Sequence, residues 1–159
     1  MTEVTTVQQD YRTWLERLTA THDAVAYTCT YRLRDRAAAA QVAVQVIGGL
    51  LCRPGVFRYS GLPYSGAIAR LAEDRIAAAR QGRLPGACSW ADLAGALDRV
   101  PAAHQRVLVL ACVHGYDDER VAVELACSAD DAARLRQDTL EFFRSLAAAA
   151  TPVLEPPPD

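Results

Sequence analysis

Thiols, imidazoles and guanidinium groups are the side chains in this 159-residue sequence best suited to chemistry. The five cysteines are Cys29, Cys52, Cys88, Cys112 and Cys127. Their number is odd and no two form a C-x-x-C pair, which argues against a disulfide framework or a zinc site. Cys112 and His114 make a lone C-x-H, too few ligands to hold a metal. Thiols in a reducing cytosol otherwise behave as small apolar residues. His22, His104 and His114 are scattered, and neither a Ser/His/Asp order nor a glycine-rich phosphate loop accompanies them. The sequence therefore carries no catalytic constellation, implies no enzyme and calls for no metal or cofactor.

Arginine gives a stronger signal. All 17 basic residues are Arg and none is Lys, as GC-rich codon usage also favours. Arg70, Arg75, Arg80 and Arg83 add a basic stripe along one expected helix, suited to a phosphate backbone. A solvated helix face would produce the same pattern.

The elements that carry these residues read as helices. Hydrophobic residues make up 51% and aromatics 7%. Much of the apolar content is alanine, which favours helices packed through small side chains over a β-sandwich. Tyr11, Trp14, Leu15 and Leu18 fall on one helical face within 7–18, and Asp23 is placed to cap a second helix over 24–33. Further helices are expected over 36–51 and 64–80, separated by a Gly- and Pro-marked loop at 57–63. Gly48 and Gly49 weaken the first of these by up to ~1 kcal/mol each. Ser89 caps a helix to Leu97, Pro101 opens 102–114, and Gly115 ends it. Asp117 or Asp118 caps a short helix to Ala126, and Ser128 caps a long one over 129–146. That short-turn-long arrangement is a helix-turn-helix pattern, one that a plain helical hairpin shares.

Charge divides the chain. Residues 1–83 hold 11 Arg against 7 acids, whereas residues 84–159 hold 6 Arg against 12. The acidic second half disfavours tight nonspecific DNA binding. The change falls in the Pro- and Gly-bearing stretch around 81–88, so the expected organisation is all-α. Two small helical domains, 1–83 and 89–148, are joined by a linker at 84–88 and followed by a Pro-rich, disordered tail at 149–159. No apolar run reaches the roughly 18 residues that cross a bilayer, and the first ten residues lack a signal-peptide pattern, so a cytoplasmic protein without membrane contact is expected.

The stretch 97–146 resembles the promoter-reading region 4 module of the extracytoplasmic-function sigma factors. Pro101, Val107, Leu110, Gly115, Glu119, Val121, Ala122, Leu125, Cys127 and Ser128 stand in that family's register. Asp35-Arg36 with the helix that follows, and Ile68-Ala69-Arg70 leading to Arg80, are similar to its region 2 helices. The resemblance covers about 10–146. It implies a region 2-like bundle that docks on the polymerase clamp and melts promoter DNA, and a region 4-like helix-turn-helix that reads the upstream element. Core RNA polymerase is then the implied partner, and promoter DNA and an anti-sigma factor are admitted beside it.

Three surfaces would do this work. The docking helix keeps only Gln41 and Gln45 of the family's acidic-polar face, with Ala40, Val42, Ala43 and Val44 around them. Where the family melts DNA stand Leu51, Cys52, Arg53 and Pro54, and just beyond them lie Phe57, Arg58, Tyr59 and Tyr64. They suit unpaired bases, which stack on aromatics for about 1–3 kcal/mol each, or they pack the loop on the core. On the recognition helix Ser128, Arg134 and Arg136 remain as candidate DNA contacts, but Asp130 and Asp131 replace Gly-Thr, Ala133 and Leu135 replace basic residues, and Asp138 fills a frequently basic position. Two carboxylates at a helix start repel phosphate, although they equally stabilise their own helix. The expected function is a sigma-like transcription protein with weakened DNA contact. The alternative is a sigma-fold protein acting only through protein or small-ligand binding.

Overall fold

The computed structural model describes residues 2–52 and 66–154. Among them every regular element is helical. In chain order these are α1 Thr2–Leu33, α2 Arg36–Leu51, α3 Gly66–Arg80, α4 Trp90–Asp98, α5 Ala102–Leu108, a π-helical turn Val109–Val113, α6 Asp118–Leu125 and α7 Ala129–Ala148. No helix among them is long and apolar enough to cross a membrane, and none of their His, Cys, Asp or Glu side chains cluster as a metal site. No disulfide joins the cysteines.

The first two expected helices are one. Tyr11, Trp14, Leu18, His22, Val25 and Cys29 are all buried, three or four residues apart, so a single stripe runs the length of α1. That spacing continues straight through Asp23, and neither Gly nor Pro interrupts it. Asp23 consequently caps nothing; its carboxylate meets the His22 ring at 3.0 Å. Tyr27 and Tyr31 fall off the stripe and face solvent.

Beside α1 lies α2, the most enclosed element. Every residue from Val42 to Leu51 is buried, as expected of a helix apolar all round. Asp35 starts it by accepting from the Ala37 and Ala38 N–H groups. It touches α1, α3, α4 and α7. An edge-to-face contact of Trp14 with Phe143 at 5.9 Å then joins α1 to α7. The Tyr11 hydroxyl donates to the Leu97 carbonyl at 2.6 Å, His114 meets Asp10 at 3.0 Å, and His22 stacks on Trp90. Residues from both ends of the chain thus share one apolar core.

Two other differences from expectation are local, and the structure also decides between the two residues expected to cap α6. The helix after Pro101 changes to π geometry at Val109, where the His114 N–H reaches the Val109 carbonyl, five residues back, before Gly115 ends it at φ 71°. Asp117, not Asp118, caps α6, accepting from the Arg120 N–H. The tail expected to be disordered from 149 is held at its start: Ala150 is buried, and the Ala149 carbonyl accepts from the Cys88 N–H at 3.0 Å. Thr151–Leu154 form no regular element, and residues 155–159 lie outside the described residues.

The tail also explains a helix-interior glycine. A Cβ on Gly48 would sit 2.0 Å from Thr151 Oγ1 and 3.0 Å from the Ala150 carbonyl carbon, whereas one on Gly49 would meet only Leu71, at 3.5 Å. Gly48→Ala should therefore cost roughly 1–3 kcal/mol by overpacking, while Gly49→Ala should stabilise by up to about 1 kcal/mol through helix propensity. Urea denaturation of the two variants measures both signs.

Burial has a consequence at alkaline pH. It pushes the Cys29 thiol up to about 11 from 9.0, the nearby Arg32 opposing the shift, and it raises the Tyr11 phenol from 10.0, with Asp98 adding to the rise. Both groups hold their protons more tightly folded than unfolded. Their contribution is complete below the unfolded values and is lost as pH climbs toward the folded ones, because the unfolded chain then binds fewer protons. Stability should be level to about pH 9 and fall above it, with a slope reaching roughly two protons. Chemical denaturation between pH 7 and 11 in steps of half a unit, roughly, reads that slope directly.

Candidate functional site

Two regions gather the candidate residues. The first is the corner between α6 and α7. Helix α6 ends on Ala126 at φ 55°, with the Cys127 N–H bonded to the Ala122 carbonyl and the Ala126 N–H to that of Val123. This is the hydrogen-bond pair of a Schellman cap. One residue later Ser128 starts α7, its hydroxyl oxygen accepting from the Asp131 N–H at 3.1 Å. The turn is thus three residues long and closed on both sides. From α5, Arg106 donates to the Glu124 carbonyl at 2.8 Å at the negative end of α6. His104 meets the buried Thr139 hydroxyl at 2.8 Å and stacks on Phe142, which fixes α5 against α7.

The charged side chains of this corner face one another. Arg134 pairs with Asp131 at 3.4 Å, Arg136 with Asp118 at 3.1 Å, and Arg120 with Glu124 at 3.4 Å while lying over the Tyr116 ring. Exposed pairs of this kind are worth at most about 1 kcal/mol, so a phosphate could displace the carboxylates. The carboxylates would remain at the surface, however. Seven acids stand against three arginines between 117 and 138, and the field at this corner opposes a polyanion. Asp130 and Asp131 occupy the first turn of α7, where they complement its dipole. Leu135 and Val123 add exposed apolar surface beside them.

The second region is a polar clasp inside the molecule. Gln45 is wholly buried at the centre of α2, so its amide must find internal partners. Its nitrogen donates to the Pro85 carbonyl at 2.7 Å, and its oxygen accepts from Arg75 Nε at 3.1 Å. One turn earlier, the Gln41 amide pairs twice with Ala87, accepting from its N–H at 2.7 Å and donating to its carbonyl at 3.4 Å. Arg75 reaches onward to the Pro152 carbonyl at 3.4 Å. Burial lowers the Arg75 pKa, with the Asp74 charge opposing the shift; the guanidinium stays charged. Segments 85–87 and 150–152 therefore meet across α2 and α3.

These positions revise several expectations. Gln41 and Gln45 do not stand on an outward docking face: α2 is enclosed, and its amides bind the linker backbone. Arg75 leaves the basic stripe and works inside the protein. Arg70 and Arg80 do stay exposed on α3, where Arg32 of α1 pairs with Glu73 and holds that carboxyl below its usual range. Arg83 bonds to Gln81 at 2.7 Å. Ser128, Arg134 and Arg136 come together at the α6–α7 corner, far along the chain from the α3 arginines. Arg53, Arg58 and Tyr59 lie outside the described residues. The pairing of Arg136 with Asp118 spans 18 residues and has no local sequence signal.

Comparison with protein families, curated proteins and solved structures returns no match for this chain.

The clasp is testable as a coupled pair. Gln45→Leu strands a buried guanidinium and the Pro85 carbonyl, and should cost about 2 kcal/mol or more. Adding Arg75→Met should recover part of that loss, since the orphaned charge goes with it. A double-mutant cycle from chemical denaturation should give a coupling of about 1 kcal/mol or more.

Proposed function

We infer that this chain is a divergent relative of the extracytoplasmic-function sigma factors. In this reading it binds core RNA polymerase, touches promoter DNA weakly, and directs or modulates initiation. A region 2-like unit and a region 4-like unit make up the fold, and an anti-sigma factor is a natural further partner. The observation that carries the reading is the closed three-residue corner from Ala126 to Ser128, which falls where ten residues stand in the family's register. The order of helices around it supports the same reading.

The electrostatics of the corner favour protein contact over DNA contact. Arg134 and Arg136 already face carboxylates, and exposed Leu135 and Val123 present apolar area of the kind that protein partners bury. The linker bears on polymerase docking as well. Residues 85–87 cover the Gln41–Gln45 side of α2, so docking by that side requires the linker to lift. The same features favour the second reading, a sigma fold that works by protein or small-ligand binding without promoter recognition.

Pull-down of core RNA polymerase by the full chain, followed by in vitro transcription, separates these readings. Retention of polymerase with weak or no promoter-dependent transcript is expected. A correctly folded chain that retains no polymerase contradicts the sigma reading. Duplex DNA should bind more weakly than about 1 µM at physiological salt. Changing Asp130→Gly and Asp131→Thr together should tighten it and steepen the salt dependence by about one to two phosphate equivalents. Sub-micromolar, sequence-selective binding by the unaltered chain would show that the carboxylates do not govern this surface.

A further inference from the structure

The junction of α1 and α2 carries side chains that the fold does not need where they stand. Tyr27 and Tyr31, one turn apart, are 78% and 81% exposed. They lie off the Val25–Cys29 stripe that buries the helix. Arg34 follows at φ 53°, its N–H closing α1 on the Thr30 carbonyl at 2.8 Å. That left-handed capping position suits glycine, because a Cβ is disfavoured there; here it holds an arginine. Arg36 opens α2 and is exposed. The carboxylate between the two arginines, Asp35, is engaged by the Ala37 and Ala38 N–H groups at 3.0 and 3.1 Å. Among the described residues no carboxylate pairs with Arg34 or Arg36. Tyr27, Thr30, Tyr31, Arg34 and Arg36 together line an open, shallow concavity of about 570 Å³.

We propose that this concavity binds a free nucleotide, with its base stacked on Tyr27 and Tyr31 and its phosphates bridged by Arg34 and Arg36. Every base has a π-face that a phenol ring can stack on. A guanidinium fork matches phosphate oxygens with two parallel hydrogen bonds. A carboxylate-bearing peptide would use the arginines and leave the aromatic faces bare. An apolar peptide would use the aromatic faces and leave two cations to be desolvated. A nucleotide uses both. The site shares no residue with the α6–α7 corner or the Gln41–Gln45 side of α2, so it stands or falls apart from the polymerase reading.

Calorimetric titration of ADP and GDP into the full chain at low salt tests this. Saturable binding is expected with at least one of them. Tyr27→Ala and Tyr31→Ala together should weaken it about tenfold or more. Arg34→Gly should weaken it by a similar factor while the melting temperature holds or rises, since glycine suits that backbone; this variant separates loss of binding from loss of fold. The parent nucleosides should bind at least about tenfold more weakly than their diphosphates. No heat with either diphosphate up to roughly 1 mM, unchanged affinity in both variants, or nucleosides binding as well as diphosphates would each overturn the proposal. A twelve-residue oligothymidine that binds tighter than either diphosphate, by about tenfold, would also overturn it and assign the face to a nucleic-acid strand.

Discussion

A buried amide governs how this molecule is put together. Gln45 sits at the centre of a helix enclosed by four others, where an unpaired amide would cost about 1–3 kcal/mol. Its two partners come from different parts of the chain: the Pro85 carbonyl from the connection before α4, and the Arg75 guanidinium from α3. Arg75 in turn needs an acceptor for its remaining donors and finds the Pro152 carbonyl. One polar side chain in an apolar helix thus obliges the linker and the tail to pack where they do. Gly48 lets the tail come close enough. Weaken the clasp, and the segments that cover α2 lose the contacts that hold them there.

This arrangement shapes what the surfaces offer. The inward amides of α2 are satisfied, so they attract no partner until the linker moves. At the α6–α7 corner the arginines are likewise satisfied by carboxylates on the same two helices. Of the three surfaces that the family resemblance marks for outside contact, the two that lie within the described residues are turned toward internal partners. Arg34 and Arg36, which pair with no carboxylate among the described residues, instead stand beside the exposed rings of Tyr27 and Tyr31 at the α1–α2 junction, remote in sequence from the α6–α7 corner.

Local physics made much of the fold legible. Ser89 and Ser128 cap the helices assigned to them, Gly115 terminates at positive φ, and the apolar face expected over 7–18 is the buried one. Asp23 has the chemistry of a capping residue, but the buried stripe continues unbroken through His22 and overrides it. The π turn at Val109 escaped because its five residues, Val-Leu-Ala-Cys-Val, are apolar and compatible with either helix. The inward turn of Gln45 and Arg75 was readable only in part. A lone amide inside Val42–Leu51 announces burial, but its partners lie 30 and 40 residues away, where no spacing rule reaches. At the candidate corner, the excess of acids was plain from composition, whereas the pairing of Arg136 with Asp118 required the two helices to be set against each other.

The dependence of the fold on α2 is most directly tested by native-state hydrogen exchange. If α2 and the clasp join the two ends of the chain into one core, the slowest amides of α2 and of α7 should exchange through the same opening, with equal free energies and equal sensitivity to urea. If α7 amides exchange through a cheaper opening while α2 stays protected, the α6–α7 pair separates on its own. The buried Gln45 contacts would then not be what holds the molecule together.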